Sequence, residues 1–129
     1  MTRFLSNISP NLPWHVTAFH QDYKMTDPAN TTPALLRRAA GIARDAGLRY
    51  VYAGNMPGCV GDLEHTDCHH CGERLITRHG YLIQDYRLTA TGACPACGTD
   101  IPGRWSAEFQ PQRTAFPFAP HDRSRLPVV

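Results

Sequence analysis

The 129-residue sequence has no apolar run approaching the roughly 18 residues that a spanning helix needs, which excludes a chain threaded through a membrane by its helices. Its first residues, "MTRFLSNISPNLPW", hold one arginine but no continuous apolar core and no small-residue cleavage site. No secretion signal is read there, and the cytoplasm is the expected location. Charge is also scarce. A net charge of +2 is too small to argue for nucleic acid, and the arginines are spread along the chain, with Arg37, Arg38 and Arg44 together, then Arg74, Arg78 and Arg87, then Arg113, Arg123 and Arg125. Lysine is nearly missing: of 13 basic residues only Lys24 is one. A chain so biased towards arginine keeps a lysine either by chance or where a compact ammonium on a thin stem is required.

What is present is the composition of a soluble globular chain, 42% hydrophobic and 19% charged. Residues 13–55 read as one unit. "WHVTAF" (14–19) is a strand, with Trp14, Val16 and Ala18 on one face and His15, Thr17 and Phe19 on the other. After the polar loop "HQDYKMTDPANT", Thr32 is placed to cap a helix that has Pro33 at its first position. Leu35, Ala39, Ile42 and Ala46 follow the helical repeat as its core stripe, widened by Leu36 and Ala43, and Gly47 stands at the left-handed C-terminal cap. "LRYVYAGN" (48–55) is a second, nearly apolar strand, as in a parallel sheet buried on both faces. Strand, helix and strand make a βαβ crossover. Two such strands leave both edges open and one face bare, where stable sheets have roughly four to six strands. The unit therefore requires completion from other polypeptide.

"NMPGCVGDLEH" (55–65) reads as a linker. Residues 66–103 hold two Cys-x-x-Cys pairs around "RLITRHGYLIQDYRL", whose alternation about His79-Gly80 predicts a small antiparallel hairpin. From position 104 to 129, Pro111, Pro117, Pro120 and Pro127 recur without period, and a disordered tail is expected. Its Phe109, Phe116 and Phe118 could dock on a surface, but the plain expectation is that they do not.

In a reducing compartment paired cysteines are metal ligands more often than disulfides. Cys68, Cys71, Cys94 and Cys97, with 22 residues between the pairs, approach the four-cysteine zinc pattern. Gly72 and Gly98 follow the second cysteine of each pair, where the chain must turn sharply around a bound thiolate, and Pro95 stiffens the second loop. Four thiolates close a tetrahedral shell and leave no open position, so such a zinc is structural, and it supplies folding free energy that a lobe of about forty residues lacks. Iron in the same four-sulfur site is an alternative. His65, His69 and His70 are substitute ligands that four cysteines make unnecessary, and Cys59 is a spare thiol.

A second constellation lies at the C-terminal ends of the two strands. His15 is on the first strand; His20, Asp22, Tyr23 and Lys24 lie just past its end, and Asn55 ends the second. That edge of a parallel sheet is where ligands bind, and the bland alternative is a solvated loop.

"PWHVTAFHQDYKMTD", then "GLRYVYAGNMPG", the two Cys-x-x-Cys-Gly pairs and "IPGRW" resemble, in order from about Pro13 to Trp105, the C-terminal part of the radical SAM enzymes of the AmmeMemoRadiSam system, relatives of the pyruvate formate-lyase activating enzymes. The resemblance implies an α/β fold in which strands 14–19 and 48–54 are the last two of a radical SAM barrel and 66–103 is a zinc-ribbon-like β lobe. It also implies that His15, His20, Asp22, Tyr23, Lys24 and Asn55 line the barrel mouth, where S-adenosylmethionine and substrate lie. The chain departs from that family in lacking the Cys-x3-Cys-x2-Cys loop for a [4Fe–4S] cluster: position 64, where its first cysteine would precede Cys68, is Glu64. It also has no Gly-Gly-Glu stretch for the cofactor's methionine group, and a full barrel needs about 250 residues. The expectation is the C-terminal part of a radical SAM enzyme, inactive alone, whose partner is the missing N-terminal barrel portion or its protein substrate, with S-adenosylmethionine and the cluster belonging only to the complete enzyme. The alternative is a stand-alone zinc-ribbon module that binds a protein, or less expectedly nucleic acid, with the βαβ unit as a dimerisation element.

Overall fold

The computed structural model describes residues 1–109. Pro111, Phe116, Phe118 and the rest of the expected tail lie outside the described residues. The elements run α1 (Thr2–Ile8), β1 (Trp14–Thr17), α2 (Pro33–Asp45), β2 (Val51–Gly54), a 3-10 turn (Gly61–Glu64), β3 (Thr66–Asp67), β4 (Arg74–His79) and β5 (Leu82–Tyr86). Among the described residues no helix is long and apolar enough to cross a membrane.

The strand–helix–strand unit forms from the residues that announced it, although both strands are shorter than their apolar runs. Thr32 Oγ1 accepts from the Leu35 N–H at 3.3 Å, Pro33 opens α2, and Gly47 ends it at φ +96°. β1 and β2 pair in parallel, Trp14 opposite Val51 and Thr17 opposite Gly54. The N–H groups of Trp14 and Ala18 donate to Tyr50 O and Gly54 O at 2.9 and 3.0 Å. By the alternation of a parallel ladder, the backbone groups of His15 and Thr17 face the opposite edge of β1, which has no strand partner among the described residues.

The core stripe of α2 differs from the one expected. Leu36, Ala40 and Ala43 are the fully buried positions, whereas Leu35 and Ile42 are 53% and 54% exposed. Apolar residues cover more than half the circumference of this helix, and the sheet below it selects the arc: Leu36, Ala40 and Ala43 meet Val51 and Ala53 in one cluster, joined by Trp14, Val16 and Ala18. Ala39 and Ala46 are left half-buried at the flank.

The other face of β2 is covered, not bare. Tyr50 joins the core of the cysteine lobe with Leu75, Ile76, Leu88 and Ile101, and Tyr52 packs at its margin. Tyr52 donates to or accepts from Thr66 Oγ1 at 3.0 Å while the Arg78 guanidinium lies 5.7 Å from its ring centroid. β3, β4 and β5 form the three-stranded antiparallel sheet of the lobe, with the expected hairpin turning at Gly80.

The segment 56–65 is likewise a joint and not a loose linker. Val60 and Leu63 are buried in the α2 core, and Glu64, 9% exposed, accepts the N–H of Gly58 at 2.5 Å and of Gly80 at 2.8 Å. One carboxylate thus ties the turn after β2 to the tip of the β4–β5 hairpin. The beginning of the expected tail is also packed: the Trp105 indole N–H donates to Ile101 O at 2.7 Å, and Phe109 lies 5.0 Å from Tyr86 between ring centroids. Trp105 fits because Gly92 and Gly103 have no side chains; a Cβ on Gly103 would come within 2.8 Å of its ring.

Replacing Glu64 by Ala strands two backbone donors, and we expect a loss of about 2–3 kcal/mol in urea unfolding. Glu64→Gln, which keeps one acceptor oxygen, should lose less.

Candidate functional site

Each cysteine pair sits in the same backbone turn. The Cys68 N–H donates to Glu73 O at 2.8 Å and Gly72 N–H returns to Cys68 O at 2.9 Å; Cys94 with Thr99, and Gly98 with Cys94, repeat the pattern at 2.9 and 2.9 Å. Gly72 at φ +77° and Gly98 at φ +74° make the return that residues with a Cβ rarely make. The two turns place the sulfurs of Cys68, Cys71, Cys94 and Cys97 within 4.8 Å of one another. Cys68 lies 3.7 Å from Cys97 and Cys71 3.6 Å from Cys94. A tetrahedral ion with metal–sulfur bonds of about 2.3 Å sets sulfurs roughly 3.8 Å apart, so the donor set fits one ion with little movement.

The thiols are unequal. Thr99, with its hydroxyl oxygen 3.2 Å from Cys97 Sγ and its backbone N–H nearby, stabilises the thiolate and pulls Cys97 down to about 5. At Cys71 the Glu73 N–H also favours the thiolate, but the neighbouring sulfurs and desolvation outweigh it and push the thiol up to about 12. Four sulfurs this close cannot all ionise unless a cation balances them. The arrangement can therefore hold a metal through four thiolates, with no position left for substrate.

The grouped metal donors among the described residues are the four cysteines, without a histidine. His69 Nδ1 is 2.8 Å from Tyr50 Oη. Burial pushes the Tyr50 hydroxyl up to about 12, and burial, with the charges of Arg49 and His70, pushes the His69 imidazole down. His65 Nδ1 accepts from the Arg78 N–H at 3.1 Å, and the exposed His70 lies beside Cys97, where it favours the thiolate, without being one of the grouped ligands. Cys59 is an exposed thiol in the joint whose carbonyl accepts from Arg37.

The six strand-end residues separate. His20 and Asn55 come together in an open groove of about 440 Å³ at the C-terminal ends of β1 and β2, with Phe19, Asn30, Thr31 and Met56. Asn55, held at φ +63°, donates from Nδ2 to Ala18 O at 3.4 Å. Loop 19–31 is closed by Phe19 and Thr31, bonded to each other twice, and by Gln21 N–H to Asn30 Oδ1 at 2.6 Å. Asp22, Tyr23 and Lys24 stand on its outer turn, away from the groove lining: Tyr23 is 91% exposed and Lys24 Nζ lies 5.4 Å from its ring centroid. His15 is elsewhere again, stacked on Tyr52 at 4.9 Å on the strand face opposite α2. Sequence proximity grouped these residues; strand alternation and the closed loop divide them. Asn30 and Thr31, which line the groove, were missed because they precede the helix cap and read as loop.

No protein-family model matches the chain. No solved structure matches it. An uncharacterized protein of Methanocaldococcus jannaschii is 41% identical over 90 residues, 69% of this chain and 26% of that protein. The chain thus spans about a quarter of the length of the relative it matches.

We expect one metal ion per chain by elemental analysis, bound with release of protons. A chelator should abolish the dispersed amide signals of 66–101 in an NMR spectrum, and Cys94→Ser, at a buried ligand, should lower metal affinity at least about a hundredfold. Gly92→Ala, which drives a methyl into the Trp105 ring, should cost about 2 kcal/mol with the metal content unchanged.

Proposed function

We propose that the chain is the C-terminal part of a radical SAM enzyme of the AmmeMemoRadiSam type, a relative of the glycyl-radical activating enzymes, in which the cysteine lobe carries a structural zinc. The observation that carries this reading is the order of its parts: two parallel strands whose C-terminal ends share a groove with His20 and Asn55, followed by a four-cysteine lobe packed on the second strand. The match to a relative about four times the length of the matched segment supports it. In the complete enzyme residues outside this chain would hold a [4Fe–4S] cluster, which would supply the electron for reductive cleavage of S-adenosylmethionine. This chain contributes one wall of the ligand groove. His20 and the Asn55 carboxamide offer polar contacts there, Phe19 and Met56 offer apolar ones, and loop 19–31 shapes the rim.

Position 64 supports inactivity in isolation. Where the cluster loop would need its first cysteine, Glu64 is committed to two backbone N–H groups. Zinc, a d¹⁰ ion without redox chemistry, suits four thiolates in a lobe with no open coordination position, and the shared core with Tyr50 suits a structural role. The second reading, a free zinc-ribbon module binding protein or nucleic acid, is favoured by the metal site alone; docking of the lobe through Tyr50 and Tyr52 counts against it.

The purified chain with reductant and S-adenosylmethionine should form no 5′-deoxyadenosine, while the complete enzyme should. Deoxyadenosine from the chain alone would overturn the proposal. In the complete enzyme His20→Ala and Asn55→Ala should each lower kcat/KM at least about tenfold, or about 1.4 kcal/mol, and the outward-lying Lys24→Arg should change it less.

A further inference from the structure

Two arginines of β4 are half-buried, and the chain treats them differently. Arg74 is met by two carboxylates, Asp67 at 2.5 Å and Asp62 at 2.7 Å. Arg78 is met by none, since the remaining ion pair among the described residues joins Arg87 to Glu73. A guanidinium keeps its charge at any ordinary pH, and its partial removal from water costs free energy that a counter-charge would offset.

Within the described residues the Arg78 fork makes a single bond, Nη1 donating to Thr66 Oγ1 at 3.0 Å. Nε and Nη2 have no acceptor there, yet they are not sealed in, because the Tyr86 hydroxyl is the one buried side-chain polar atom left without a partner. The Nε–Nη2 edge of Arg78 therefore opens to solvent.

The fork is also held in place. Arg78 Cζ lies 5.7 Å from the centroid of the Tyr52 ring, and Thr66, 1% exposed, ties the Tyr52 hydroxyl at 3.0 Å to the same oxygen that accepts from Arg78. A stacked and hydrogen-bonded guanidinium has already lost the freedom that a ligand would otherwise have to remove. The exposed His15 stacks on the same ring at 4.9 Å, and the His65 imidazole accepts the Arg78 backbone N–H. Two acids of this region are spent elsewhere, Asp67 on Arg74 and Glu64 on two backbone N–H groups. On the sheet face opposite α2, β1, β2 and the cysteine lobe thus gather an imidazole, a phenol and a fixed cation that no carboxylate of the described residues pairs.

We infer that this face binds a carboxylate, carried by a small acid or by an acidic peptide side chain, with both oxygens on the Nε–Nη2 edge of Arg78 and the stacked Tyr52 and His15 beside it. One guanidinium offers one charge and two parallel N–H groups, the match for a planar monoanion. A phosphate ester, with a charge of about −1.5 to −2, calls for more cations than this face supplies. Carboxylate binding here does not depend on the proposed function, because every group it uses belongs to this chain.

The test is a titration of the full, metal-loaded chain with acetate, followed by the arginine Nε–H signals in an NMR spectrum, with chloride holding the ionic strength constant. The Arg78 signal should move and saturate, with half-saturation at roughly 1–10 mM, while that of Arg87, already paired with Glu73, stays in place. A capped alanyl-glutamyl-alanine peptide that binds more tightly than acetate makes the ligand an acidic peptide; equal or weaker binding makes it a small acid. Arg78→Lys keeps the charge but loses the planar fork, and should weaken acetate at least about tenfold, read at the Tyr52 and His15 ring signals. Shifts that never saturate, equal movement of Arg87, or tighter binding of inorganic phosphate each overturn the inference. So does an Arg78 signal that moves on Asp122→Asn in the free chain, since the counter-charge would then be the protein's own. If Arg78→Lys does not fold, the acetate, phosphate and Asp122→Asn results decide the matter without it.

Discussion

The mutual repulsion of four cysteine sulfurs gathered within 4.8 Å is the constraint on which the rest of the molecule depends. As thiolates they require a cation between them, and once that cation is present the two turns at Gly72 and Gly98 are fixed relative to each other. The lobe they close has a short apolar list of its own, Leu75, Ile76, Leu88 and Ile101, and it completes that core with Tyr50 from the neighbouring sheet. A cation held there would therefore couple folding of the lobe to coverage of β2.

Glu64 extends the coupling in the other direction. A buried carboxylate is costly unless its oxygens are matched by donors, and here two backbone N–H groups from separate turns provide them. The result is that a segment with the composition of a linker behaves as a hinge pin between the βαβ unit and the hairpin. The glutamate also stands four positions before Cys68, where extending the first cysteine pair to a Cys-x3-Cys-x2-Cys loop would need a cysteine, and its carboxylate is taken up by the two backbone N–H groups.

The groove at the strand ends and the flank of α2 are both open to solvent. His20 and Asn55 face an open groove at the strand ends. Leu35 and Ile42 are exposed on α2, and β1 has a strand partner on one side only among the described residues. Parallel sheets are ordinarily covered on both faces, and here α2 covers one face of β2 and the cysteine lobe the other.

Much of this was legible in the residues. Thr32 and Pro33 announced the start of α2, Gly47 its end, and the paired Cys-x-x-Cys-Gly turns their metal geometry, because caps, turns and ligand spacings are local and each has a residue-level physical cause. The packed arc of α2 was not legible, since its apolar residues span more than one face and only the sheet chooses among them. Nor was the separation of His15 from His20, which depends on strand alternation and on how loop 19–31 closes. The docking of Tyr50 and Tyr52 and the second bond of Glu64 join residues 14 to 19 positions apart. The sequence by itself determined the elements and the donor set, through short-range sterics and ligand chemistry. Only the tertiary structure decided which face is covered, which edge is left open and which polar residues share a site, because burial is settled by what each surface meets.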